Sequence, residues 1–221
     1  MAPSNSTKLF AEGLGTAFLL IGVVGSGIMG ESLADGNTAI ALLANAIATG
    51  CILYVIITTL GPVSGAHFNP IVTLAFAFRG EHAWKMVAPY IAVQISGGIL
   101  GVWAVHLMFD LPIMQASTTL RTGTAQWSSE IIATFGLLFV IFGGLRHKVD
   151  AVPPLVALYI TGAYWFTSST SFANPAVTIA RGFSDTFAGI APSNIAMFIV
   201  MQIVGLVIGH FVLTRLFNSD Q

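Results

Sequence analysis

Asn69-Pro70-Ile71-Val72-Thr73-Leu74-Ala75 and Asn174-Pro175-Ala176-Val177-Thr178-Ile179-Ala180 are two copies of one seven-residue phrase. Proline suits the first position of a helix, where its missing N–H would have no intrahelical acceptor anyway, and a preceding asparagine can cap that turn. Each phrase therefore starts a helix at its Asn. Neither phrase carries enough apolar residues to cross a membrane alone, so each reads as a half-membrane segment.

The surrounding chain is apolar. Charged residues make up 8% of the 221 and hydrophobic ones 55%, whereas about a quarter of the residues in a soluble domain are charged. A bilayer core of about 30 Å takes roughly 20 apolar residues per helix. Six stretches qualify: Leu9 to Met29, Ala39 to Leu60, Trp84 to Phe109, Ile131 to Gly144 extended by its polar start, Val152 to Thr167, and Ile195 to Phe217. The expected fold class is an all-α membrane protein with six transmembrane helices and two re-entrant half-helices. The first apolar run is longer than a signal-peptide core and lacks a clean cleavage site, so it is expected to stay as a span. Cys51 is the single cysteine, which excludes an intrachain disulfide and a cysteine metal cluster; as a small residue on span two it is expected to be buried.

Basic residues favour cytoplasmic loops. With both termini inside, Lys8, Arg79, Lys85, Arg146, Lys148 and Arg215 are cytoplasmic, and only Arg121 and Arg181 lie outside. The first phrase then enters from the cytoplasm and the second from the opposite side.

The duplication extends beyond the phrases. Glu12-Gly13-Leu14-Gly15-Thr16 answers Glu130-Ile131-Ile132-Ala133-Thr134, and Gln94, Gly97 and Gly101 answer Gln202, Gly205 and Gly209. One domain spanning 1–221 thus divides into repeats of about 1–125 and 126–221, with re-entrant segments about 61–80 and 168–185. Three crossings per repeat place the repeats in opposite orientations, with the working site between them at the bilayer midplane. Two helix N-termini, each carrying about half a positive charge, would then meet near the membrane centre and repel cations, protons included. Non-helical backbone at that depth must be buried or line a wet cavity, so Gly61 to Phe68 and Ser168 to Ala173 are expected to line a conduit with carbonyls. Neutral hydrogen-bonding solutes are the natural cargo. Gly97 with Gly101 and Gly205 with Gly209 have the spacing of close helix crossings and are expected to join the two halves. Trp84, Trp103, Trp127 and Trp165 are expected in an interfacial belt.

No phosphate loop, nucleophile–base arrangement or basic stripe is present, so neither an enzyme nor a nucleic-acid binder is expected. His67, His82, His106, His147 and His210 lack metal-ligand spacing; no metal and no cofactor are expected.

Ser64-Gly65-Ala66-His67-Phe68-Asn69-Pro70, with Glu12, Glu130, Gln94 and Gln202, resembles the major intrinsic protein family, the aquaporins and aquaglyceroporins, over essentially the whole chain. The resemblance implies an aquaporin-like inverted repeat, pore-centre motifs at Asn69, Pro70, Ile71 and Asn174, Pro175, Ala176, and a homotetramer with one pore per subunit. It also favours a supporting role for Glu12 and Glu130 beneath the re-entrant loops; His67, two residues before Asn69, is expected to brace its loop, with a pH-sensitive place in the cytoplasmic vestibule as the alternative. Ile71 stands where the family usually has Ala. A larger departure follows the second motif, where the family nearly always has an arginine and this chain has Val177. Carrying the outer constriction over by spacing gives a selectivity filter of Thr49, Gly162, Ser171 and Val177, with no aromatic and no arginine. The aspartate common in glycerol conductors is Thr178 here.

Isopropyl in place of guanidinium removes several donors and a charge, which predicts a wide, weakly selective constriction. Arg181, one helical turn beyond Val177, either restores a partial positive field at the outer mouth or is satisfied at the interface by loop carbonyls or Asp185. The latter is favoured because long basic side chains snorkel. Valine after the second motif with a small-residue filter resembles the bacterial S-type aquaglyceroporins associated with arsenic resistance. That implies passive flow of arsenous acid and methylated arsenicals, beside glycerol and water, across a bacterial inner membrane. An ordinary water or glycerol channel and a structural membrane protein with a closed pore remain the alternatives. A secondary transporter would need coupling groups beyond Glu12 and Glu130.

Overall fold

The computed structural model describes residues 3–217. Eight α-helices follow in order: α1 (Asn5–Leu33), α2 (Thr38–Ser64), α3 (Pro70–Phe78), α4 (Trp84–Met108), α5 (Thr124–His147), α6 (Val152–Phe166), α7 (Pro175–Arg181) and α8 (Pro192–Phe217). Six helical stretches are long and apolar enough to span a membrane, α6 doing so together with the 3-10 turn Val149–Ala151 before it. The nine residues of α3 reach only about 13 Å at 1.5 Å per residue, less than half a bilayer core.

Caps explain where several helices begin. Ser4 accepts from Thr7 N–H, Asn37 from the amides of Ala39 and Ile40, Asn69 from Ile71 and Asn174 from Ala176 and Val177. The expected non-helical stretch from Gly61 is corrected, because α2 runs on through Pro62 to Ser64. The helix stops only at Gly65, which takes a left-handed φ of 93° while its N–H bonds the Gly61 carbonyl.

The two glycine pairs work inside each half rather than between halves. A Cβ on Gly97 would collide with the Gly13 carbonyl and one on Gly101 with that of Ala17, so both glycines seat α4 directly on α1. Gly205, whose Cβ would lie 2.8 Å from the Ile131 carbonyl, and Gly209, 3.2 Å from a Leu138 methyl, do the same for α8 on α5. The expectation that these pairs join the halves is therefore overturned. The halves meet instead through α2 against α6, α4 against α7, and α3 against α8.

The larger of two core clusters runs from α1 through all the helices around the centre, while Phe10, Phe18, Leu33, Leu107, Leu158 and Phe211 point outward. Such a surface suits acyl chains. Cys51 belongs to it: with Ile47, Tyr54 and Val55 it forms one exposed face of α2, so its expected burial is corrected. The helix turns that face away from the core, where Thr49 and Leu53 point inward. Trp84 and Trp165 are exposed at helix ends, whereas Trp127 packs on a small cluster of Phe172, Ile190 and Phe198, and Trp103 sits within α4.

Candidate functional site

Two fully buried carboxylates hold the segments that precede α3 and α7. Glu12 Oε1 accepts from Ser64 Oγ at 2.7 Å and His67 N at 3.0 Å, and Oε2 from Phe68 N at 2.7 Å and Gln94 Nε2 at 2.8 Å. Glu130 repeats the pattern, accepting from Phe172 N and Ala173 N, both at 2.9 Å, and from Gln202 Nε2 at 2.6 Å. Each glutamine also donates at 3.0 Å to a threonine hydroxyl, Thr73 or Thr178, and those hydroxyls donate to the carbonyls of Asn69 and Asn174. Charge-assisted bonds to backbone amides are among the stronger ones, which suits two loops that must stay irregular inside a membrane protein.

The loops are held in an unusual backbone form. Ala66, Phe68, Thr170, Ser171 and Ala173 all have φ between 46° and 62°, a left-handed conformation that costs non-glycine residues of order 1–3 kcal/mol each. Counted back from each asparagine, the left-handed residues occupy the same positions, since Gly65, Ala66 and Phe68 match Thr170, Ser171 and Ala173. The two loops are then tied to each other. Asn69 Nδ2 donates to the Ala173 carbonyl and Asn174 Nδ2 to that of Phe68, both at 2.8 Å. The oxygen of each asparagine side chain caps its own helix, so the N-termini of α3 and α7 face one point.

A conduit passes this point and is lined on its other side by ladders at helical spacing four. These are Leu19 and Val23 on α1, Thr49, Leu53 and Ile57 on α2, Leu137, Ile141 and Leu145 on α5, and Val152, Val156, Ile160 and Tyr164 on α6. That wall is apolar apart from Thr49 and Tyr164, and the opposite wall carries Asn69, Asn174 and residues of the left-handed loops. Such a lining sets apolar surface opposite hydrogen-bonding groups and places no fully charged side chain beside Asn69 and Asn174. One end opens among Lys8, Glu81, His82, Lys85 and Asp150; Arg181 lines the conduit toward the other.

Most expected site residues converge here. Asn69 and Asn174 line the conduit, Pro70 and Pro175 start the helices, and Ile71 and Ala176 are fully enclosed behind them. Thr49, Ser171 and Val177 line it as expected. Gly162 does not. It lies off the α6 ladder, and a Cβ there would point toward the Phe166 ring. Tyr164 lines the conduit instead, its hydroxyl 3.2 Å from Thr49 Oγ1, and Phe172 lines it as well. The expectation of a filter without aromatics is corrected accordingly. The four-residue spacing from Val152 was the signal that could have found Tyr164, since residues two apart on a helix point in nearly opposite directions.

His67 stacks on Phe76 with centroids 4.8 Å apart and its Nδ1 lies 3.1 Å from Thr73 Oγ1, so it braces the loop while lining the conduit. Arg181 is 2% exposed rather than snorkelling. Its Nε donates to the Ala188 carbonyl and its guanidinium lies 3.5 Å over the Phe172 ring. Asp185 is not its partner, being held by the amide and hydroxyl of Thr118 at 2.7 and 2.9 Å. Those bonds keep the Asp185 carboxyl below its ordinary pKa. Among the described residues no group of His, Cys, Asp and Glu could hold a metal ion.

A sequence profile described as Major intrinsic protein matches residues 2–168. The chain is similar to Aquaglyceroporin AqpS of Rhizobium meliloti (strain 1021), 53% identical over 200 residues that cover 90% of this chain and 85% of that protein. It is also 29% identical to a probable NIP-type aquaporin of Nicotiana alata, over 97% of this chain and 79% of the other. The X-ray structure of the aquaglyceroporin from Plasmodium falciparum shares the fold with a TM-score of 0.78 at 19% identity, covering 98% of this chain and all of that one. With the profile spanning most of the chain, and six apolar membrane-length spans, this chain belongs to the major intrinsic protein family and is an integral membrane solute channel, not an enzyme.

Proposed function

We propose that the chain is a passive channel for small neutral solutes with an outer constriction wide enough for arsenous acid and methylated arsenicals, as well as glycerol and water. The observation that carries this reading is Val177, which lines the conduit beside Thr49 and Ser171 where the family's arginine would stand. An isopropyl group offers neither the bulk nor the five donors of a guanidinium. The opposed N-termini at Asn69 and Asn174 form the barrier to cations, and the asparagine amides bind passing hydroxyls.

The proposed setting is a bacterial inner membrane, with both termini cytoplasmic, one channel domain of two inverted repeats about 1–125 and 126–221, and four copies per assembly. Re-entrant segments about 61–80 and 168–185 meet at the midplane. Tyr164 and Phe172 favour a narrower second reading, an ordinary water and glycerol channel, because both add aromatic surface to the lining.

Light scattering on proteoliposomes under water, glycerol and arsenous acid gradients separates these readings. Wild-type protein is expected to pass all three, and Val177→Arg to keep water while losing the larger solutes. Equal arsenous acid flux through folded Val177→Arg would overturn the assignment of breadth to Val177. Water and glycerol flux without arsenous acid favours the ordinary channel, and no flux above empty vesicles favours a structural role.

A further inference from the structure

Two arginines share one aromatic ring at the outer end of the conduit. Arg181 lies over Phe172 at 3.5 Å and Arg121 at 5.1 Å. Three consecutive carbonyls serve them: Phe187 and Gly189 accept from Arg121, at 3.3 and 2.7 Å, and Ala188 accepts from Arg181. Neither arginine has a carboxylate within ion-pair distance among the described residues, where the one salt bridge is Arg79 with Glu81.

Such burial is costly for a cation unless something is gained. The Ala188 bond engages only Nε of Arg181 among the described residues, and the terminal guanidinium nitrogens are not among the fully enclosed unpartnered atoms. Arg181 is also one of the residues that line the conduit, one helical turn beyond Val177. Its donors and charge are consequently presented to whatever passes.

We infer that Arg181 is a specificity-determining residue of this pore: it supplies, from one turn further out, the fixed positive charge and hydrogen-bond donors that Val177 does not. Phe172 is its platform and the Ala188 carbonyl its anchor. The assignment rests on the chain being an open solute channel. It separates two tasks that a single arginine at the narrowest point would combine. Val177 leaves cross-section for a bulkier neutral solute, while Arg181 keeps a positive field in the mouth that turns cations away and orients solute oxygens. The second charge, Arg121, lies 5.1 Å from the same ring and adds to that field.

The test uses full-length protein in liposomes carrying an entrapped pH dye, with a potassium diffusion potential to drive proton entry and light scattering to follow glycerol. Arg181→Met is expected to raise the proton leak at least about tenfold, since the electrostatic barrier loses a poorly screened charge, and to change the glycerol rate without abolishing it, because a donor to the solute is lost. Arg181→Lys is expected to stay as tight as wild type. Arg181→Gln, which can still bond the Ala188 carbonyl, is the variant to read if Arg181→Met does not fold. A neutral variant that conducts glycerol and remains as proton-tight as wild type would overturn the role of Arg181 alone. Wild-type protein without glycerol flux would instead overturn the channel reading beneath it.

Discussion

Glu12 and Glu130 are ionisable residues inside spans, and their surroundings decide what they do. Each carboxylate is enclosed and accepts from two loop amides, a glutamine and a serine hydroxyl, Ser64 at Glu12 and Ser169 at Glu130. Replacing Glu12 by Gln would turn an amide NH2 toward at least one backbone N–H, His67 or Phe68, that can only donate. Glu12→Gln is expected to lower stability by about 2–4 kcal/mol, as for other broken buried polar networks, and Glu130→Gln by a similar amount. Thermal unfolding in detergent reads both, and a change under about 0.5 kcal/mol would mean the loops hold themselves. Tyr164 makes a separate point at this scale. Tyr164→Phe keeps the ring in the conduit but leaves Thr49 Oγ1 without this partner. It is expected to change stability by less than about 1.5 kcal/mol and to shift the ratio of glycerol to water permeability, measured by stopped-flow scattering.

Among the elements, the close crossings of α1 with α4 and of α5 with α8 depend on glycines that admit no side chain. Gly101→Val would push its Cβ into the Ala17 carbonyl. Two packed backbones have no flexible group to yield, so a loss of at least about 3 kcal/mol or failure to assemble is expected. Gly61→Ala is the contrasting case, with nothing within 4 Å of the added Cβ and a helical position in α2. Its expected effect is neutral to stabilising by up to about 1 kcal/mol. Size-exclusion profiles and melting temperatures of the two variants distinguish packing glycines from a permissive one.

At the scale of the whole molecule, the end carrying the N-terminus gathers Lys8, Glu81, His82, Lys85 and Asp150 around its opening. His82 contacts His67 and Tyr90 there, with ring centroids 5.1 and 4.5 Å away. Burial lowers the His82 pKa, the Lys8 charge acts the same way, and a backbone bond with Met86 opposes them. The unfolded chain thus takes up this proton more readily than the folded one. Stability from His82 is present above its unfolded pKa of about 6.5 and falls as pH drops through that value toward the folded one. The melting temperature is expected to decline between about pH 7.5 and pH 5, and His82→Gln to flatten part of the decline. A variant with an unchanged slope would place the loss elsewhere.

The duplicated Asn-Pro phrase and six apolar runs were legible in the sequence because helix starts and bilayer-length hydrophobicity are local properties. The same holds for Glu12 and Glu130, whose burial follows from a carboxylate within an apolar run. Thr49, Ser171 and Val177 were reachable from their spacing to the asparagines. Gly162 was misplaced because linear distance from Asn174 does not set the rotation of α6, which packing against α2 and α5 decides. The glycine pairs announced close crossings, yet only the assembled helices show that each crossing lies within one half. Cys51 faces outward for the same reason, since an apolar helix in a membrane chain has no polar face to mark its inside. The sequence by itself determined that the chain is a membrane-spanning duplication with two helix starts in its interior. The tertiary structure alone decided which side chains meet the conduit, and it seated Arg181 on Phe172, because those outcomes depend on long-range packing and loop carbonyls distant in the chain.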